Sequence, residues 1–227
     1  MFMGYYFIGI IAFIASMAIQ AYLRNTYGKW MRVQNTSGLT GAETARAILD
    51  ANGLREVKVE PVSGQLTDHY DPRSKTVRLS EGNYGHANVS GMAVAAHEVG
   101  HAIQHARAYA PLQMRTAILP VANIGSRFGP MLAILGIMFG MSSGLGEGML
   151  QLGILLFAGA VAFQVVTLPV EFDASRRALV QLNKMGLATS SDSGGARQVL
   201  TAAALTYVAA AATSIAYLLY FLNLSRD

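Results

Sequence analysis

The chain has 227 residues, of which 52% are hydrophobic and only 13% are charged, and its mean hydropathy is +0.35. Because a soluble domain usually carries about a quarter of its residues as charged side chains, this composition excludes an ordinary soluble domain and indicates contact with lipid. The net charge of +4 comes without a stripe of Lys and Arg interleaved with aromatics, so we expect no nucleic-acid partner. The absence of cysteine excludes disulfides and thiolate metal sites.

The first predicted element is a transmembrane helix at residues 1–23, a stretch without any charged residue. About 20 apolar residues suffice to cross a bilayer. A cleaved signal peptide would carry positive charge before its apolar stretch, whereas Arg24 follows this one. We therefore expect a membrane helix whose N-terminus lies outside.

Residues 24–112 form the extended polar region, which we predict to be a small cytoplasmic α+β insertion. Thr40-Gly41-Ala42-Glu43 has the pattern of a capping box, so Thr44–Ala51 is expected to be a short helix that ends at Gly53. Val57–Val62 alternates in polarity, which is typical of a strand.

A hairpin is predicted next, because Leu66–Tyr70 and Thr76–Ser80 flank a turn-like stretch. The edge of Thr76–Ser80 would suit an extended peptide, although the strand can equally be only one half of the hairpin. Asn88 or Ser90 is expected to cap a helix that runs to about Arg107.

Three further membrane spans are predicted, at residues 113–143, 149–170 and 198–222. Pro120 and Pro130 are expected to kink the first of these three. A polar segment at residues 171–197, which we expect to be helical at first and then rich in Ser and Gly, separates the last two spans.

The distribution of basic residues predicts the orientation in the membrane. Lys and Arg cluster in or beside the two polar segments, whereas the 144–148 connection carries Glu147 and no basic residue. The positive-inside rule then places both polar segments in the cytoplasm and both termini outside. We expect a mainly α multi-pass protein of the plasma membrane, with four transmembrane helices and one cytoplasmic α+β insertion.

The run His97-Glu98-Val99-Gly100-His101 predicts a metal site. On a helix His97 and His101 project from one face, one turn apart, so both imidazoles can reach a single ion. Glu98 lies beside them, where it can take a proton from a water activated by the metal. A chance match to this short motif is the alternative, but the neighbouring residues are small and apolar, and ionisable side chains on such a helix require a reason. We predict one catalytic Zn²⁺ per chain on a zincin-like helix.

A third protein ligand is expected from elsewhere in the chain. Glu171 follows the third span directly, where an unpaired acidic residue is costly. The alternatives are a solvated helix end and ligation by the neighbouring Asp173. His105 continues the face of His97 and His101, but three ligands at four-residue steps on one helix diverge too far, so we predict a hydrogen-bonding or surface role for it.

Three further residues are candidates for stabilising the oxyanion. Arg127, near Asn123, is an isolated charge between apolar stretches; it would serve this role or bind a substrate carboxylate, or else only snorkel at the end of its span. His86 precedes the metal-binding helix and is either an oxyanion donor or a surface histidine.

These residues also resemble known families. His97–His101 with the distal Glu171 is similar to the gluzincin arrangement, HExxH plus a distal Glu. The stretches Asp68–Ser80 and Asn88–Gln104 resemble the bacterial YugP-type membrane zinc metallopeptidases, and the likeness covers most of the chain. The resemblance implies a zinc metalloendopeptidase of the plasma membrane whose active site faces the cytoplasm and whose substrates are peptides or proteins associated with the membrane.

A more distant likeness is to the CAAX-processing and stress-response membrane peptidases, whose distal motif is Glu-x-x-Ala-Asp. Glu171 and Ala174 match this motif, but Ser175 stands in the place of the Asp. We expect the Ser175 hydroxyl to accept a hydrogen bond from a ligating histidine, more weakly than a carboxylate would.

Two rival functions are weighed against this one. A site-2-type intramembrane protease would bury HExxH in a long apolar span and use a distal Asp, and neither feature is present. A non-catalytic zinc-binding scaffold or chaperone would need no general base, so the presence of Glu98 argues against it. The sequence predicts neither the oligomeric state nor the substrate.

Overall fold

Helices make up most of the computed structural model, which describes residues 2–140 and 142–226. The first residue of the span predicted at 1–23, and Met141 within the span predicted at 113–143, lie outside the described residues. The described elements, in chain order, are α1 (Phe2–Met31), α2 (Gly41–Ala51), β1 (Lys58–Val62), β2 (His69–Asp71), β3 (Thr76–Ser80), α3 (Glu81–Tyr84), α4 (Val89–Ala106), α5 (Ala110–Met138), α6 (Gly144–Lys184) and α7 (Ser190–Leu224).

Four of these helices, α1, α5, α6 and α7, are long and apolar enough to cross a membrane. This confirms the predicted fold class of four membrane helices with a small α+β insertion. Three of these helices, α1, α6 and α7, are longer than the predicted spans, and α1 continues to Met31. Helix α5 ends at Met138, earlier than predicted, and is continuous through Pro120 and Pro130.

Helix α6 does not stop where the predicted third span ends but continues to Lys184. The extension is stabilised by a stripe of small and apolar residues at four-residue spacing, all of them fully buried: Val170, Ala174, Ala178 and Leu182. Residues four apart lie on one face of a helix, so this stripe gives the polar segment a packed side.

The chain divides into two compact units. The first unit consists of Met1–Ala18, Ala110–Pro169 and Thr206–Asp227. Its outer surface carries large apolar side chains, among them Phe7 and Leu155, which are 64% and 70% exposed. Exposed apolar side chains at this density are typical of helices that face lipid.

The second unit consists of Ile19–Tyr109 and Val170–Leu205 and contains the sheet. The strand order is β1-β3-β2, with β1 parallel and β2 antiparallel to β3. The predicted hairpin of β2 and β3 is therefore confirmed. The prediction that Thr76–Ser80 offers an edge to a peptide is wrong, because β3 is the central strand and both of its edges are paired.

Local signals fix the two helices that pack on this sheet. Thr40 and Glu43 form the predicted capping box at the start of α2, with reciprocal hydrogen bonds of 3.2 and 2.8 Å. Of the two candidate caps for α4, Asn88 is the one used, since its side chain accepts from the Gly91 N–H at 2.7 Å. Apolar residues from α2, α4 and β3 then form one buried core in this unit: Ile48, Leu49, Val77, Leu79, Met92 and Val99.

Candidate metal centre

Helices α4 and α6 bring three potential ligands together within the second unit. Glu171 Oε2 lies 3.3 Å from His97 Nε2 and 3.6 Å from His101 Nε2. One ligand atom from each residue lies within 4.8 Å of the other two, a spacing that could hold a single metal ion. His97 and His101 come from one face of α4, and Glu171 comes from the extended part of α6.

A glycine permits this close approach of the two helices. A Cβ atom added to Gly100, between the two histidines, would lie 2.6 Å from the Ala174 carbonyl oxygen. Such a distance is too short for a contact between a Cβ atom and the backbone. Helix α6 can therefore lie against α4 next to residue 100 only because this residue has no side chain. Gly100 therefore determines how near Glu171 comes to the two imidazoles.

Each imidazole is held by a hydrogen bond on the side away from Glu171. His97 Nδ1 lies 3.1 Å from Ser175 Oγ, and His101 Nδ1 lies 3.0 Å from Gln104 Oε1. These bonds leave both Nε2 atoms directed at the Glu171 carboxylate. Histidine ligands of metals characteristically donate their second ring N–H to such an outer partner, which fixes the tautomer and the ring orientation.

Glu98 lies on the flank of the site and is 8% exposed. Burial raises the pKa of its carboxyl group, and the neighbouring His97 and His101 partly offset that rise. A general base works best when its pKa lies near the working pH, so the buried position favours Glu98 in this role.

Asp173 makes different contacts from Glu171. Its carboxylate accepts a hydrogen bond from Gln104 Nε2 at 3.0 Å and forms ion pairs with Arg176 and Arg177. The structure thus brings Glu171, rather than Asp173, next to the two imidazoles. On a helix the two residues point about 200° apart, which explains why only one of them faces His97 and His101.

The other predicted site residues lie outside this cluster. His105 is exposed and its Nδ1 lies 2.9 Å from the Tyr70 hydroxyl, which confirms the expected hydrogen-bonding role. His86 is exposed in the loop before α4. Asn123 and Arg127 are exposed on α5, in the first unit, and their roles stay predictions.

Gln104 is the residue that sequence reasoning missed. It is fully buried, and its amide contacts both His101 and α6. One signal was available, because Gln104 is three residues after His101 and so lies beside it on the helix.

The donor set fits zinc. Two imidazole nitrogens and one carboxylate oxygen are the protein ligands of many catalytic zinc sites, which keep a fourth position open. The outer hydrogen bonds of His97 and His101 add to this fit, because they occupy Nδ1 of each ring and leave Nε2 directed inward, where the neutral imidazole would bind a metal.

Comparison with known proteins agrees with this chemistry. The family described as "Putative neutral zinc metallopeptidase" matches residues 5–226. The chain belongs to this family. It is also similar to "Putative membrane protease YugP" of Bacillus subtilis (strain 168), with 47% identity over 219 residues, which cover 96% of this chain and 95% of that protein. No solved structure matches the chain. The resemblance to the YugP-type membrane zinc metallopeptidases is therefore confirmed. Membership of the family, together with the four apolar helices, supports a zinc metallopeptidase of the membrane.

Proposed function

We propose that this protein is a gluzincin-type zinc metalloendopeptidase, embedded in the plasma membrane, that hydrolyses peptide bonds at a site facing the cytoplasm. The observation that carries the proposal is the convergence of His97, His101 and Glu171 within 4.8 Å, with Glu98 beside them. Residues 2–140 and 142–226 contain one such cluster, which implies one zinc ion per chain. The proposed substrates are peptides or proteins associated with the membrane, and nucleic acid is not among the partners.

Each residue has a distinct part in the proposed reaction. His97, His101 and Glu171 hold the metal. When bound, zinc would supply a Lewis acid that polarises the substrate carbonyl and lowers the pKa of water. Glu98 takes a proton from the attacking water as general base and then passes it to the leaving amine as general acid.

The cytoplasmic location is proposed from charge alone. The segments that carry the site, in α4 and the extended part of α6, are flanked by most of the basic residues of the chain. Basic residues next to membrane spans remain on the cytoplasmic side. The proposed orientation therefore has both termini outside.

The catalytic proposal is tested by Glu98→Gln in the full chain, purified in detergent. Because the three ligands remain, we expect the variant to keep about one zinc per chain, measured by elemental analysis. Removing the general base should lower the cleavage of a quenched-fluorescence peptide library by about 10²- to 10⁴-fold.

The matched control is Glu56→Gln, which makes the same chemical change at an exposed position that pairs with Lys75, away from the ligand cluster. This variant should cleave the library as the wild type does. If Glu98→Gln retains full activity, Glu98 is not the base; if the wild type holds zinc but cleaves nothing in the library, the scaffold alternative gains support.

A further inference from the structure

The amide of Gln104 makes three hydrogen bonds, two to α6 and one to His101 on its own helix, α4. Its Nε2 donates to the Val170 carbonyl oxygen at 2.8 Å and to Asp173 Oδ2 at 3.0 Å, while its Oε1 lies 3.0 Å from His101 Nδ1. The side chain is fully buried, with 0% exposure. A buried amide with all three contacts made is a fixed element of the structure, since losing any of them would leave a buried polar group unsatisfied.

The two acceptors on α6 determine which way the amide points. Both Val170 O and Asp173 Oδ2 require a donor, so the NH₂ end of Gln104 faces them and the oxygen faces His101. An oxygen facing Nδ1 requires that Nδ1 carry the ring proton. In the neutral form of His101, which is the form that binds a metal, the unprotonated nitrogen is then Nε2, the atom that faces Glu171.

The Asp173 carboxylate is also held by two arginines of its own helix, α6. It is paired with Arg176 and Arg177 and is only 9% exposed. Chains of hydrogen bonds in a low-dielectric interior polarise one another, so a carboxylate that accepts from Nε2 makes Oε1 of the same amide a better acceptor. Asp173 points away from the ligand cluster. The Gln104 side chain nevertheless connects Asp173 to His101, because its amide hydrogen-bonds to both residues.

We propose that Gln104 is a positioning residue, which fixes the tautomer and the ring orientation of His101 and transmits the influence of Asp173 to it. The inference rests on the proposed function, because it takes His101 to be a metal ligand. It gives the Nδ1 side of His101 a carboxylate–amide–imidazole chain, whereas Nδ1 of His97 faces the Ser175 hydroxyl. A purely structural amide would join α4 to α6 without affecting the metal.

The test compares Gln104→Met with Ser90→Ala. Methionine has a similar length but cannot make any of the three hydrogen bonds. Ser90→Ala is the matched control, because Ser90 is also fully buried on α4 and donates a buried hydrogen bond, to the Tyr27 carbonyl, without touching a ligand. The readouts are the zinc dissociation constant, from competition with a chelator, and the visible absorption spectrum of the Co²⁺-substituted protein, which reports ligand geometry.

For Gln104→Met we expect a loss of zinc affinity of about 10- to 100-fold and a changed Co²⁺ spectrum. Ser90→Ala should lose thermal stability but keep the affinity and the spectrum of the wild type. Wild-type affinity and spectrum in Gln104→Met would overturn the positioning role and leave the proposed function intact. By contrast, a wild type that binds neither Zn²⁺ nor Co²⁺ through His101, as judged against His101→Ala, would refute both.

A second pair of variants applies if Gln104→Met does not fold. Asp173→Ala keeps the Gln104 side chain and its bond to Val170, and should weaken zinc binding by about 3- to 10-fold. Arg176→Ala is its control, since it removes an exposed partner of the same carboxylate and leaves the contact with Gln104 in place. Equal zinc affinities for these two variants would overturn the proposal.

Discussion

Gly100→Ala is the substitution that tests most directly how the site is assembled. Alanine is a better helix former than glycine by about 1 kcal/mol, so helix propensity alone predicts stabilisation. Packing predicts the opposite. The new Cβ would lie 2.6 Å from the Ala174 carbonyl oxygen and 3.1 Å from two further backbone atoms of Ala174.

The size of the displacement follows from these distances. An ordinary contact begins at 3.4 Å, so α6 must move away from α4 by about 0.8 Å unless the backbone distorts. Distances in a zinc site are held to within about 0.2 Å, and the displaced helix carries Glu171. Overpacking costs about 1–3 kcal/mol in stability, and misplacement of a catalytic group by about 1 Å costs about 100-fold in rate.

The assay measures the zinc dissociation constant and peptide cleavage on the same preparation. For Gly100→Ala we expect a lower thermal stability, a zinc affinity reduced about tenfold or more, and about 100-fold slower cleavage. Gly28→Ala is the matched control, because Gly28 is also helical but its added Cβ meets nothing within 4 Å. This control should match or exceed the stability of the wild type and keep its zinc affinity.

One result would refute this reasoning. If Gly100→Ala is as stable as Gly28→Ala and binds zinc like the wild type, α6 does not lie against α4 as described. Glu171 would then reach the histidines, if at all, by another path.

Two further predictions concern the third ligand and the topology. Glu171→Ala, purified without added zinc, should be largely metal-free and less thermostable, because the bound ion joins segments about 70 residues apart in the chain. A metal content like that of the wild type would show that Glu171 is not a ligand. For the topology, a reporter fused near Glu147 should be detected outside the cell and one near Gly186 inside, and a cytoplasmic signal from the Glu147 fusion would contradict the proposed orientation.

Features set by neighbouring residues were predictable from the sequence. The capping box of Thr40 and Glu43 and the hairpin of β2 and β3 depend on residues a few positions apart, so their patterns are visible in a single chain. The parallel pairing of β1 with β3 depends on contacts that no local pattern encodes. The sequence therefore could not show that β3 is the central strand.

The ends of the long helices were also not predictable from the sequence. Hydropathy marks where apolar residues stop, so it placed the end of the third span before Glu171; the segment that follows was expected to begin as a helix, but not to extend the same helix to Lys184. The helix continues because Val170, Ala174, Ala178 and Leu182 are buried within the second unit, where Ala178 and Leu182 are part of its apolar core. Tertiary contacts of this kind extend helices past their apolar stretch, and they are not readable from polarity alone.

The site depends on two pairs of residues, one pair on α4 and one on α6, and the members of each pair are one helical turn apart. Only one of the two pairs was recognisable from the sequence. His97 and His101 are such a pair on α4, and their motif is recognisable without any partner. Glu171 and Ser175 are the corresponding pair on α6: the first faces both Nε2 atoms and the second lies against His97 Nδ1. The two pairs meet where Gly100 contacts Ala174, so the small residue within each pair is what allows the ligands of both helices to converge. With serine at position 175, Nδ1 of His97 faces a hydroxyl rather than a carboxylate. The Asp173 carboxylate on α6 is connected to the other histidine, His101, through Gln104. The Nδ1 atoms of the two histidines thus have partners of different strength. We therefore expect substitution of Gln104 or Asp173, which support His101, to weaken zinc binding more than Ser175→Ala, which removes the hydroxyl next to His97.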